Sequence, residues 1–230
     1  MRAHYGARRL CLAEGAGVSG PILIIGATSG IGACAVREAA ARRIPVRAFA
    51  RGAAALPASE FVEPMAGDAL KAVDLGRALA GCSAVIYALG IKERLAMLWE
   101  EETLFSETTR LLISQMRAAH VTRLVAVTGF GAGRSRKAMS ALERIGHNAF
   151  LGRPYADKDR QEALIMDSSL DWTIVRPVIL TNGRPSGRAN VLSDPSTWRN
   201  GLISRSDVAR VLIDVVEDGS HVRADVVVAG

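Results

Sequence analysis

The sequence predicts an α/β protein built on a doubly wound parallel sheet. Short aliphatic runs that stop at glycine alternate with amphipathic helical stretches, and the alternation continues from about residue 20 to the last residues. No internal repeat or low-complexity block breaks it. Strands separated by helices are joined by right-handed crossovers, which leave helices on both faces of a parallel sheet.

Pro21-Ile-Leu-Ile-Ile25 reads as a first, fully buried strand. Ile31 to Arg43 follows as a helix, with Ile31, Ala35 and Ala39 on one stripe. Pro45 to Ala50 is the second strand, and Phe61-Val62, ending near Asp68, a weaker third. Leu70 to Ala80 is amphipathic, and Ala84 to Ala88 is a strand stopped by Gly90. A long helix is expected from Ile91 or Glu101 to His120, with Leu104, Thr108, Leu111 and Leu112 as its apolar face. Leu124 to Thr128 is strand five, Lys158 to Ser168 helical, and Trp172 to Arg176 strand six, closed by Pro177. Asp207 to Glu217 is a last helix behind Ser206 as N-cap, and Val226 to Ala229 a final strand.

With 230 residues, one large domain over 20–230 is favoured, preceded by an irregular leader over 1–19. Apolar residues form 49% and charged ones 23%, a globular balance, and the aliphatic runs are too short to span a bilayer. Cys11, Cys34 and Cys82 show no paired spacing. His4, His120, His147 and His221 are scattered, so no metal is expected. The leader lacks the apolar run of a signal peptide, and cytoplasmic residence is the default. The net charge of +6 comes from dispersed basic residues without aromatic interleaving, so nucleic acid is not expected as a partner.

The chemical signal is the turn after the first strand. Gly26-Ala-Thr28-Ser29-Gly30-Ile31-Gly32 stands between a strand and a helix. Glycines there permit a sharp turn and close approach of a pyrophosphate, while exposed amides and the positive end of the helix hold the anion. Thr28 and Ser29 add hydroxyl donors. At the end of strand two, where an NAD site carries a carboxylate, stands Arg51, so NADP is expected over NAD. A solvated loop arginine would look the same. Asp68, followed by Ala69, could accept from the adenine amino group or cap a helix.

Several blocks together resemble the atypical short-chain dehydrogenase/reductases, nearest the NmrA-like subgroup with its biliverdin reductase B-type flavin reductases. They are Gly26 to Gly32, Arg51, Gly67-Asp68, Ala88-Leu89-Gly90, Lys158-Asp-Arg-Gln-Glu162, Leu170 to Pro177 and Ser204-Arg-Ser-Asp-Val-Ala209. The resemblance covers about 20–230. It implies a Rossmann-like domain with a small C-terminal substrate portion, and usually NADP. It implies that Ala88, Leu89 and Gly90 pass under the cofactor, that Thr128 ends strand five at a catalytic position, and that Lys158 reaches the nicotinamide ribose. Pro177 and Ile179 would lie beside the nicotinamide. The usual Tyr-x-x-x-Lys pair is absent: Pro154 stands four before Lys158 and Tyr155 three before it. Tyr155 is still a candidate proton donor, because residues three apart on a helix can meet. A surface Lys158–Glu162 pair is the plainer alternative.

These features predict an NADPH-dependent reductase acting on a small molecule, a flavin, quinone or similar conjugated acceptor. The imperfect Tyr/Lys pair keeps a second reading, a non-catalytic NADP(H)-sensing regulator. His147 could steer an acidic acceptor or donate a proton, with a loop histidine of no role as the plainer alternative. Arg134 and Arg136 could attract an anionic substrate or belong to a solvated flexible loop. The helix to His120 could pack on a second copy as a homo-oligomer, though burial within the monomer explains its apolar face more simply.

Overall fold

The computed structural model of the chain describes residues 20–90, 103–139 and 155–230. The leader expected over 1–19, His147 and the expected helix start near Ile91 or Glu101 lie outside them. In chain order the elements are β1 (Ile22–Ile25), α1 (Gly30–Ala41), β2 (Val46–Ala50), β3 (Val62–Ala66), α2 (Ala72–Leu79), β4 (Ala84–Tyr87), α3 (Leu104–Ala118) and β5 (Arg123–Val127). Then come α4 (155–166), β6 (Asp171–Pro177), β7 (Ile179–Thr181), β8 (Asn190–Leu192), β9 (Leu202–Ser204), α5 (Arg205–Glu217) and β10 (Ala224–Ala229).

Eight strands form one sheet in the order β3-β2-β1-β4-β5-β6-β10-β8, all parallel except β8, which runs antiparallel along β10. This is the Rossmann-like doubly wound α/β fold that the alternation predicts. From β1 the chain winds outward to β2 and β3, then crosses back to lay β4 on the other side of β1. That reversal makes the carboxyl ends of β1 and β4 a topological switch point, where this architecture opens a crevice.

The pleat of β1 shows how the two faces are filled. Ile22 and Ile24 pack with Ile31 and Ala35 of α1 and Val208 and Leu212 of α5. Leu23 and Ile25 point the other way, among Leu75 and Leu79 of α2, Phe105 and Leu112 of α3, and Ile165 of α4. All four β1 side chains are buried, and each such burial contributes about 1.5–3 kcal/mol.

Several elements depart from the sequence expectation. The buried residues of α3 are Phe105, Ser106, Thr108, Thr109, Leu112, Ile113 and Met116, while Leu104 and Leu111 are only half-buried. Threonine can enter this face because its hydroxyl is satisfied there: Thr108 Oγ1 meets the Leu104 carbonyl and the Tyr87 hydroxyl. The α5 cap is Ser204, not Ser206, since the Ser204 hydroxyl accepts from the Asp207 amide. The two-stranded parallel ribbon of β7 and β9, and β8, give the sequence after Pro177 its form. Among the described residues no helix is long and apolar enough to cross a membrane.

Candidate functional site

The β1–α1 turn is shaped by its glycines. Gly26 has φ +87°, and a methyl group on it would stand 2.6 Å from the Ala88 carbonyl oxygen; one on Gly32 would stand 2.2 Å from that of Gly26. The chain is thereby drawn down onto the β4 turn, where the Ala88 amide donates to Ile25 O. Gly30 differs: at φ +57° its missing Cβ points into open space.

The turn leaves a row of donors. The amides of Gly26 and Ala27 donate to Phe49 O, and that of Ala33 to Ser29 O. Those of Thr28, Ser29, Gly30, Ile31 and Gly32 find no acceptor among the described residues. Ser29 sits at the N-cap without a side-chain cap bond, and the first turn of α1 holds no acidic residue. A helix start with unmet amides, no carboxylate and a Cβ-free opening fits a diphosphate.

Arg51 follows β2, exposed and without a hydrogen bond or ion pair among the described residues. Its guanidinium is thus available to a phosphate near the β2 end. The Gly67 amide donates to Ala50 O and ties the ends of β2 and β3 together. Asp68 forms a local turn, with Oδ1 accepting from the Leu70 amide, and Lys71 occupies the N-cap of α2; Asp68 therefore does not cap that helix. Ala69 is buried beside it, while Leu89 and Gly90 continue beyond β4.

At the end of β5, α4 brings Tyr155 and Lys158 together. Lys158 Nζ donates to the Thr128 carbonyl at 2.6 Å and lies 4.8 Å from the centroid of the Phe105 ring and 5.8 Å from that of Tyr155. The three-residue spacing does place both side chains on one face. Tyr155 is largely covered, its hydroxyl so close over Gly129 that a methyl group there would come within 2.7 Å of it. Burial, reinforced by the Glu162 charge, pushes the Tyr155 phenol above its usual pKa. Burial pulls Lys158 down to about 8, opposed by Glu162 and Asp157.

Asp157 explains how α4 is seated. Its carboxylate, fully buried, accepts from the Phe105 amide at 2.8 Å and the Ser106 amide at 3.3 Å. It caps α3 from a neighbouring helix, where Thr103 supplies no side-chain bond. Lys158, the next residue, is thereby set over Phe105.

A surface pair between Lys158 and Glu162 is not what forms. Glu162 is buried and forks onto Arg176, with Oε1 accepting from Nε at 2.9 Å and Oε2 from a terminal nitrogen at 2.7 Å. Its Oε1 also accepts from the Thr128 hydroxyl at 2.7 Å. Arg176 reaches on to Asp225, which also pairs with Arg134, and the Trp198 ring lies 5.2 Å from the Arg176 guanidinium. The sequence leaves Arg134 and Arg136 open between drawing an anionic substrate and lying on a solvated flexible loop. Instead Arg134 is held by Asp225, and Arg136 by Asp159 at 2.8 Å, because the 3₁₀ turn Gly133–Ala138 folds back on α4 and β10.

Pro177 ends β6, and its carbonyl accepts from the Phe130 amide. Ile179 opens the small ribbon opposite Leu202, and both are exposed. Sequence reasoning gave no role to Asp157 or Arg176, and to Glu162 only that of a surface partner for Lys158. The available signal was Arg176 itself, a charge inside an aliphatic strand that needs a buried partner.

Comparison with known proteins places this geometry. Residues 26–219 match a family of NAD(P)H-binding proteins. The chain is similar to ChuY, an anaerobilin reductase from Escherichia coli O157:H7, with 24% identity, TM-score 0.75, and 91% of this chain and 96% of that one covered. ChuY from the CFT073 strain of E. coli matches at 25% identity and TM-score 0.74, with the same coverage. A short-chain dehydrogenase/reductase from Veillonella parvula in complex with NADP matches at 16% identity, TM-score 0.77, covering 92% of this chain and 94% of that one. A matched span that runs from the first glycine of the turn to the end of α5 leaves the assignment plain: this chain belongs to the NAD(P)H-binding family.

Proposed function

We propose that the protein is an NADPH-dependent reductase that passes hydride to a flavin, a quinone, a bilin or a similar conjugated acceptor. The observation that carries this reading is the run of acceptor-free amides at residues 28–32, facing the same strand ends as Tyr155 and Lys158. The nicotinamide cofactor, when bound, supplies the hydride. The chain's own residues bind and orient it. Amides 28–32 and the start of α1 hold the diphosphate, with Thr28 and Ser29 adding hydroxyls. Arg51 takes the 2′-phosphate, and this cation, unpaired among the described residues, is what favours NADP over NAD. Asp68 Oδ2 accepts from the adenine amino group, with Ala69 beneath it. Ala88, Leu89 and Gly90 form the floor.

Lys158 donates to the nicotinamide ribose, and Pro177 and Ile179 flank the ring position. The Thr128 hydroxyl is committed to Glu162, so Thr128 acts through its carbonyl, which holds the lysine. Tyr155 is the proton donor where the acceptor is a carbonyl; an acceptor that takes its proton from solvent does not need it. Likeness to an anaerobilin reductase supports a large conjugated acceptor, and the NADP complex of the Veillonella neighbour supports the coenzyme.

One observation favours the second reading, a non-catalytic NADP(H) sensor: the Thr128 hydroxyl, at the strand end beside Lys158, is already committed to Glu162. The assay that decides mixes protein, NADPH and a panel of flavins, quinones, bilins and aldehydes, following the nicotinamide absorbance. Turnover with any acceptor supports the reductase, and binding without turnover across the panel supports the sensor. Tyr155→Phe is expected to abolish aldehyde reduction while sparing NADPH binding; unchanged turnover removes Tyr155 from the chemistry.

A further inference from the structure

We infer that Glu162 is a positioning residue that fixes the end of β5 and, through it, the Lys158 ammonium; this rests on the ribose-binding role proposed for Lys158. Glu162 follows Lys158 by one helical turn, so both side chains project from the same face of α4. They meet opposite sides of one residue: the carboxylate takes the Thr128 hydroxyl at 2.7 Å and the ammonium donates to the Thr128 carbonyl at 2.6 Å. Thr128 is clamped between them at the point where β5 ends.

The clamp is anchored from the far side. Arg176, fully buried in β6, holds both oxygens of Glu162 and spends its remaining nitrogen on Asp225 of β10. The carboxylate therefore cannot swing to meet Lys158 directly, and its charge acts through space. Around the ammonium, α4 contributes Tyr155, Asp157 and Glu162, α3 the Phe105 ring, and β5 the Thr128 carbonyl. Arg160 faces Asp157, and Arg176 faces Glu162. Asp157 is already engaged with the amides at the start of α3. Both carboxylates favour the charged ammonium, Glu162 more than Asp157, and of the two it is Glu162 that also holds Thr128.

The test reads Lys158 directly, without cofactor. Trace labelling with acetic anhydride from about pH 6 to about pH 10, followed by peptide mass spectrometry, reports the neutral fraction of each lysine. Glu162→Gln keeps the shape and the acceptor for Thr128 but removes the charge, and the Lys158 midpoint is expected to fall by about one pH unit. An unmoved midpoint overturns the inference. Should Glu162→Gln fail to fold, Thr128→Val deletes the hydroxyl bond without touching a charge, and Lys158 is expected to label about fivefold faster at neutral pH. An unchanged labelling rate then overturns it. NADPH affinity measured on the same proteins separates the two ideas. If the Lys158 midpoint drops in Glu162→Gln while wild-type NADPH affinity stays flat through the wild-type midpoint, the Glu162 role stands and the ribose role of Lys158 falls.

Discussion

Gly30 and Gly32 differ in what a methyl group would meet, and the difference is measurable. At Gly32 the methyl would stand 2.2 Å from the Gly26 carbonyl oxygen, so Gly32→Ala must break the turn and is expected to lower both stability and coenzyme binding. At Gly30 the methyl meets nothing within the protein and costs about 1–2 kcal/mol for its left-handed backbone. There it would stand in the opening proposed for the diphosphate, so Gly30→Ala is expected to weaken NADPH binding by tenfold or more with modest loss of stability. Equal loss of stability in the two variants would contradict this reading of the turn. The glycines were legible from their place between a strand and a helix, and at Gly26 and Gly32 the backbone leaves no room for a Cβ. Asp157 and Glu162 were not, since an acidic residue on a helix looks solvated until its neighbours in space are known.

At the scale of elements, the caps divide what sequence shows from what tertiary structure decides. Ser204-Arg-Ser-Asp207 offers two serines, and the one three residues before the aspartate wins, because its hydroxyl pairs with both the amide and the carboxylate of Asp207. Ser204→Ala is expected to cost about 0.5–2 kcal/mol in urea denaturation, and Ser206→Ala close to nothing. The reverse order would restore Ser206 as the cap. For α3 no local sequence reading could succeed: its capping carboxylate is Asp157, more than fifty positions away in the chain. The main strands were legible because they are buried runs of four to seven residues. Strands β7, β8 and β9, with three residues each, are too short for periodicity to register.

Across the whole molecule, buried carboxylates set the response to acid. Burial would raise Asp207 and Asp225, but other forces win. Asp207 accepts from Ser186, Gly187 and Ser204, and Asp225 is held by Arg134 and Arg176, so both lie below the usual carboxylate range. A depressed carboxylate contributes stability that is present above its unfolded pKa and is lost as pH falls through the folded one. Stability is therefore expected to drop below about pH 4, and Asp225→Asn to flatten that drop, as followed by urea midpoints against pH. An equally steep acid limb in the variant would count against it. Lys158 adds a dependence of the same sign at higher pH: a base held near 8 disfavours the folded state at neutral pH, and that penalty is relieved as pH rises between about 8 and the unfolded value of 10.5.

With Lys158 on the ribose as proposed, coenzyme affinity is expected to fall on the alkaline side of 8, while the larger share of the binding is assigned to the phosphates. Calorimetric titration of NADPH and NADH into wild type and Arg51→Glu addresses that share most directly. The expected result is clear binding of NADPH to wild type, a loss of about ten- to hundredfold in Arg51→Glu, and an NADH affinity that the substitution leaves alone. No heat with either coenzyme would contradict the anion site at residues 26–32, and equal NADPH affinity in the two proteins would contradict the assignment of the 2′-phosphate to Arg51.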